Sequence, residues 1–569
     1  MKSTNAEIKK LAFLAFLFLA ITLNFSCATK PIGDKHISDV GLMMKKRVAI
    51  FDALVKEIDR VDADRKDILK LKDENWDLNI KDVRAEVEKA KTPEEFGRAL
   101  RKIDALYPHI QAQLVLNPDL ESVVLGSKVV LPFKMTPTID DKGDSHFKYF
   151  ISQVSPDDFE PGEVPRLGDE VVEINKKAME GWEQENFTLC KSTSHIVCAL
   201  ELNHNFRNEN LSWNHHSDIE LKLLRGGTKV TAKLKPKIEV SGGFEPSENS
   251  DVYNDVFPCG VDIKRRYYEF GFLYKGRRLC ALGSHIHPGV VVMRISNFNY
   301  SGNDDSIHSI KQEIELFRAA YWNEHIGEVK HLIIDVVDNE GGDPPVGYEE
   351  LLFDRPFQGQ YIKYKKLKEW GEDPVEENLF TLDGDGGKAI WLKSLKEEGI
   401  YEKTSLGEFF EPIPRYCVNS RLDCRKGRFE PDKHHFKGDV RVMLNQNCIM
   451  ACSSFVSDLA QHLSGRIWFY GLPDSGDPLA SQIAVNLYLT PGSAKAFAVK
   501  SQVWNSAAPP IAQDLLVTQT LAFTATTDAA GSVISGETRK IRKMPSLNYK
   551  NYPTNYSGEV LKTILKDIK

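Results

Sequence analysis

Apolar positions in the first quarter of the chain recur at helical spacing. In "VAIFDALVKEIDRV", Val48, Phe51, Leu54, Val55 and Ile58 fall three or four residues apart, so they share one stripe of a helix. The run "TPEEFGRALRKIDALY" carries its own start signal. Thr92 suits the N-cap, Pro93 the first helical position, and Glu95 can complete a capping box. Phe96, Leu100, Ile103 and Leu106 then make the buried face. The helical pattern from Gly41 to about Leu114 predicts a bundle of helices.

The period then changes. "SVVLGSKVVLPF" and "FKYFISQV" read as strands, and so does the short run Val171, Val172 and Ile174 between turns at Gly168-Asp169 and Asn175. "DIELKLLRGGTKVTAKLKPK" predicts a hairpin about Gly226-Gly227. Farther along, strand and helix patterns alternate. "GVVVMRISNF" is a strand, "SIHSIKQEIELFRAAYW" a helix, and "VKHLIIDVVDNEGGDP" a buried strand entering a glycine turn. "GDVRVMLNQN", "SSFVSDLAQHLSG" and "RIWFYGLPDSGDP" repeat strand, helix and strand. Such alternation predicts an α/β domain with a largely parallel sheet. Between about 344 and 437 the pattern weakens, which predicts an insertion or lid.

At 569 residues the chain is long enough for several cores. Its apolar share of 41% and charged share of 27% are those of a globular protein. A net charge of −7 without a long basic run gives no ground for a nucleic-acid partner. The N-terminus changes the picture more. Lys9 and Lys10 precede "LAFLAFLFLAITL", long enough for a signal-peptide core and short for a membrane span. "NFSC" follows, ending at Cys27. A small residue before a cysteine at this place resembles the lipobox of bacterial lipoproteins, although Leu23 lies one place early and Phe25 is bulky. The resemblance implies lipidation at Cys27, a membrane held through that lipid, and an outer-membrane protein facing the periplasm. A plain secretory signal also fits, and it too takes the chain out of the cytoplasm.

Eight cysteines remain besides Cys27, in neighbouring pairs: Cys190/Cys198, Cys259/Cys280, Cys417/Cys424 and Cys448/Cys452. Local disulfides are the simplest arrangement in an oxidising compartment, although spacing does not fix connectivity. Zinc would want tight Cys-x-x-Cys pairs, and the chain has none. His285, His287, His434 and His435 read as loop residues, so no metal and no cofactor is expected.

The stretch from Gly168 to about Lys237 resembles a PDZ domain, with Lys176-Lys177 in place of a glycine and an insertion from about Gln184 to Ser217. A PDZ domain takes peptide as an added strand on an open sheet edge. Bundle, PDZ-like block, "IIDVVDNEGG", "LNQN" and "GLPDSGDP" come in the order found in the tail-specific, or C-terminal-processing, serine peptidases, and the whole resembles that family. The family's Asp-Leu-Arg-x-Asn-x-Gly-Gly is matched at Asp335, Asn339, Gly341 and Gly342, with Val337 in place of the arginine. By resemblance, Gly341 and Gly342 line an oxyanion hole, where close backbone N–H groups stabilise a developing charge.

Both reacting positions depart from the family. A branch of relatives reads Cys-x-Ser-Ala-Cys-x-x-Phe, which falls on Cys448, Met450, Ala451, Cys452 and Phe455. Met450 takes the nucleophile's place, and a thioether cannot attack a carbonyl. The family's lysine position holds Asp477, a poor base when solvated. Nucleophilicity could have moved to Ser453 or Ser454, which equally suit an N-cap role. It could also have moved to Cys452, which equally suits a disulfide to Cys448. Ser453 is the candidate catalytic residue if hydrolysis survives. His109 is read as structural or cleft-lining.

The expected fold is α/β and multi-domain: a signal peptide over 1–27, tether and bundle over 28–125, a PDZ-like module over 126–240, and a peptidase-like domain over 241–569 with its insertion at about 344–437. The expected function is a serine peptidase acting on extended peptide or protein C-termini. The alternative is a lipoprotein that binds peptide without cutting it.

Overall fold

A computed structural model describes residues 40–63, 65–71, 75–106, 114–116, 128–130, 133–138, 147–154, 164–187, 194–200, 219–234, 237–239, 267–298, 306–342, 347–357, 360–367, 399–414, 429–474, 482–489, 494–499, 515–522, 524–527, 539–543 and 555–568, with a few single residues between. Cys27, His109, Cys259, Cys417, Cys424 and Asp477 lie outside the described residues.

Four helices open the described chain: α1 (Val40–Val61), α2 (Arg65–Leu71), α3 (Trp76–Lys89) and α4 (Pro93–Ala105). The start of α4 is as the sequence predicts. Thr92 Oγ1 accepts from Glu95 N, and the Glu95 carboxylate returns to the Thr92 N–H. Phe51, Leu54 and Ile58 of α1 are buried with Phe96, Leu100 and Ile103 of α4. The same core takes in Ile362, Tyr364 and Leu487, hundreds of residues later. There α1 packs on an antiparallel sheet of 114–116, 515–522, 482–489 and 494–499.

A smaller sheet joins β1 (Phe133–Thr138), β2 (Lys148–Val154), β3 (Glu170–Ile174), β4 (Lys177–Ala178), β5 (Ile219–Arg225) and β6 (Thr228–Leu234). Its order is β1-β2-β3-β5-β6, with β4 hairpinned onto β3. The β3–β4 turn puts Asn175 and Lys176 at φ 49° and 67°. Both signs are positive, as a tight two-residue hairpin requires, so Lys176 does here what glycine does at less cost. After β4 comes α5 (Met179–Phe187), and Trp182 Nε1 donates to Ile174 O from it. Cys190 and Cys198 are joined as a disulfide.

The principal sheet has seven strands: β7 (Phe270–Lys275), β8 (Leu279–Ser284), β9 (Val290–Ile295), β10 (His331–Asp335), β11 (Asp439–Leu444), β12 (Ile467–Gly471) and β13 (Ile541–Lys543). They lie in chain order. From β9 to β13 every pairing is parallel, and β7-β8-β9 is an antiparallel meander. Apart from Arg294 and Arg441, the interiors of the central strands are apolar on both faces, as expected of strands covered on both sides. Leu332, Ile334, Val440, Val442 and Leu444 face one core, with α6 (Ser306–Phe317) and α7 (Ala451–His462) over them. Ile333, Val292 and Met443 face the other, against Val560, Leu561 and Ile564 of α8 (Tyr556–Ile568). One π-helical turn, Arg318–Trp322, extends α6 and buries Trp322, whose Nε1 donates to His434 O.

The fold is thus mixed α/β with a largely parallel main sheet, as expected. Part of the 344–437 stretch is integrated into the fold. Its strand at 361–364 pairs with 413–414 and with 524–527.

Candidate functional site

Strands β10 and β11 are parallel neighbours, so both end at the same sheet edge. Each runs into one of the two turns singled out by the sequence. In open α/β sheets that edge, outside the carboxyl ends of the strands, is where ligands bind. The turns are bound to each other. Asp338 N donates to Asn445 Oδ1 at 2.9 Å, and Asn445 Nδ2 and Asn447 Nδ2 both donate to Asp338 Oδ1. Ile449 N reaches Asn339 O at 3.4 Å.

Met450 stands at the corner between β11 and α7. It is the N-cap residue, with φ 50° and ψ −118° and no side-chain capping bond. That region strongly favours glycine; other residues hold it only where their surroundings impose it. Two restraints are visible. The disulfide Cys448–Cys452 spans the corner. Gly341 packs directly on it: a Cβ at Gly341 would lie 2.7 Å from Ile449 O and 2.8 Å from Met450 Cβ. Gly341 has φ 86°, so both space and conformation require glycine. The two sequence turns therefore form one corner, with Gly341 against Met450.

The remaining candidates fall as follows. Gly341 N–H donates to Asn339 Oδ1 at 2.9 Å, and Gly341 O accepts from Phe298 N. Gly342 follows at φ 124° and bridges to Phe298. Ser453 is the third residue of α7, is 2% exposed, and donates from Oγ to Asp474 Oδ2 at 2.9 Å. Ser454 is buried on the next position. Neither serine is the N-cap, because the helix starts at the corner itself. Cys452 is oxidised to a disulfide, so it is no nucleophile in this state.

Several participants escaped the sequence reading. Asp474 looked like a turn residue in "PDSG", yet it is fully buried and accepts from Arg539 N at 2.7 Å as well as from Ser453. Arg294, from β9, donates to Asp335 Oδ1 at 2.9 Å and to Val337 O at 2.5 Å. Tyr267 Oη donates to Asp335 Oδ2. Burial opposes the Arg294 charge, but Asp335, Tyr267 and Asp338 outweigh it and hold the guanidinium protonated. One lone arginine in "VVVMRIS" was the available signal. Behind α7, Asp458 meets Glu349, both carboxyls being buried. Among the described residues no cluster of His, Cys, Asp or Glu has a metal-binding arrangement.

No protein-family model matches the chain, and no curated protein does. Solved structures do. Mature CPAF in complex with lactacystin matches over 93% of this chain and 98% of its own, at 14% identity and a TM-score of 0.59. A second mature CPAF structure covers 93% and 97% at 14% identity, with a TM-score of 0.58. The photosystem II D1 C-terminal processing protease aligns over 90% and 96% at 12% identity, but its TM-score of 0.29 is too low to establish a common fold. The chain thus has the fold of CPAF over nearly its whole length.

Proposed function

We propose that this chain is a divergent relative of the tail-specific peptidases that holds extended peptide at the Met450 corner without cutting it. The carrying observation is the corner itself. A strained elbow and a glycine turn stay packed together while the side chain at the elbow is a thioether. Strain of this kind gathers at catalytic sites and ligand clamps. A thioether has no proton to lose and forms no acyl-enzyme. What is left is a backbone corner to receive an extended chain, with the residues over 126–240 as a PDZ-like second contact. Cys27 is the proposed lipid anchor, holding the protein to the periplasmic face of the outer membrane.

The Ser453–Asp474 contact favours a second function, hydrolysis by a displaced nucleophile. Ser453 would give its proton to Asp474, and Gly342 would supply the oxyanion donor because Gly341 N–H is already donated to Asn339. Against it stands burial: a hydroxyl 2% exposed must be uncovered before a peptide carbonyl can reach it.

One experiment separates the two. Protein lacking residues 1–27 is mixed with a fluorescent, unstructured peptide ending in a free carboxylate. Saturable anisotropy with an intact peptide by mass spectrometry is the expected result. Product formation that disappears in Ser453→Ala would replace binding with hydrolysis, and neither binding nor product would refute both.

A further inference from the structure

Arg294 is the least expected residue near the corner. Its strand is otherwise apolar, its side chain is 6% exposed, and Asp335, its register partner, is fully buried. An ion pair this deep is weak support for stability, since its desolvation offsets most of the attraction. Its connections point to geometry instead. One guanidinium nitrogen ties Asp335, the last residue of β10, to Val337 O, where the glycine turn leaves the strand. Asp335 Oδ1 also receives Val337 N at 3.0 Å. Val337, the first residue of the turn, is therefore gripped at both its N–H and its carbonyl. Asp338 comes next, bound to Asn445 and Asn447, and then Gly341 lies against Met450.

We propose that Arg294 is the positioning residue of the corner. From the neighbouring strand it sets the Val337–Gly342 turn against Met450, at the strand end where the peptidase motif has an arginine and this chain has Val337. The inference rests on the peptide-binding reading only for its consequence, not for its geometry.

Arg294→Met with Asp335→Leu tests it. Replacing a buried pair by apolar residues of similar size leaves folds intact in many cases, while the grip on Val337 is removed. Amide exchange over 336–342 is expected to quicken about tenfold with the rest of the sheet unchanged, and the fluorescent peptide to bind about tenfold more weakly. Unchanged exchange over 336–342 overturns the proposal whatever the peptide does. Faster exchange in the double variant and also in Arg294→Lys, which keeps Asp335 and its bond from Val337 N, with no peptide bound by the unaltered protein, upholds Arg294 and refutes the binding function. If the double variant does not fold, Arg294→Lys decides. Lysine keeps the charge but not the fixed planar direction of the guanidinium N–H bonds, so exchange over 336–342 should rise about threefold, and an unaltered rate overturns the proposal.

Discussion

Met450 holds a backbone conformation that costs on the order of 1–3 kcal/mol for a residue with a Cβ. Such a cost is kept only where neighbours impose it, and here Gly341 and the flanking disulfide do so. Glu349 is the second residue held against its own preference. Burial, then the negative charges of Asp458 and Glu350, push its pKa well above the ordinary 4.5. The folded protein therefore keeps a proton that the unfolded chain releases. That contribution is fully present below pH 4.5 and is lost as pH rises toward the raised folded value. Glu349→Gln removes the titration, so the variant should gain on the unaltered protein progressively above pH 4.5. Urea midpoints of both proteins across that range check this; a difference independent of pH would contradict it. The sequence located Met450 and the two glycines because local motifs fix a turn's shape. It missed Asp474 and Arg294 because their partners, Ser453 and Asp335, are 21 and 41 residues away, and a buried carboxylate in "PDSG" is spelled like a solvated one.

At the scale of elements, the parallel strands and α7 were legible from periodicity, since a strand buried on both faces is apolar throughout. The start of α7 was legible only to within a turn. No N-cap side chain marks it, and its first residue is set by the corner. The disulfide Cys448–Cys452 takes over that task by joining the end of the β11 turn to the first turn of α7. Closing so short a loop contributes about 2 kcal/mol on the chain-entropy account. Cys448→Ser with Cys452→Ser should lower stability by about that amount and loosen the corner. Urea unfolding with and without reductant measures it: the reductant-dependent part of the stability should shrink in the double variant. The Cys190–Cys198 bridge is distant from the corner in the chain and remains in that variant as an internal control.

For the whole molecule, the helices of 40–106 share their core with later parts of the chain. Their core includes Ile362, Tyr364, Tyr401, Phe410 and Leu487. Lys365 Nζ also donates to Asp62 O at the end of α1, tying the bundle to the strand at 361–364. A fragment of residues 40–106 should therefore show much less helix by circular dichroism than the same helices contribute in the full chain. A cooperatively folded fragment would show the bundle to be an independent domain. The later residues that share this core were invisible in the sequence because an amphipathic stripe tells which face is buried and not what covers it. A similar long-range tie closes the site. Tyr556 on α8 donates to Leu444 O and accepts from Leu472 N at 2.6 Å, filling the space that a Cβ on Gly471 would need. It thus staples the ends of β11 and β12 from 112 and 84 residues downstream. During synthesis both strands and the Met450 elbow emerge well before their staple. The nascent chain must carry an unfastened rim until that one phenol arrives, so the order of translation makes the Met450 corner among the last parts to set.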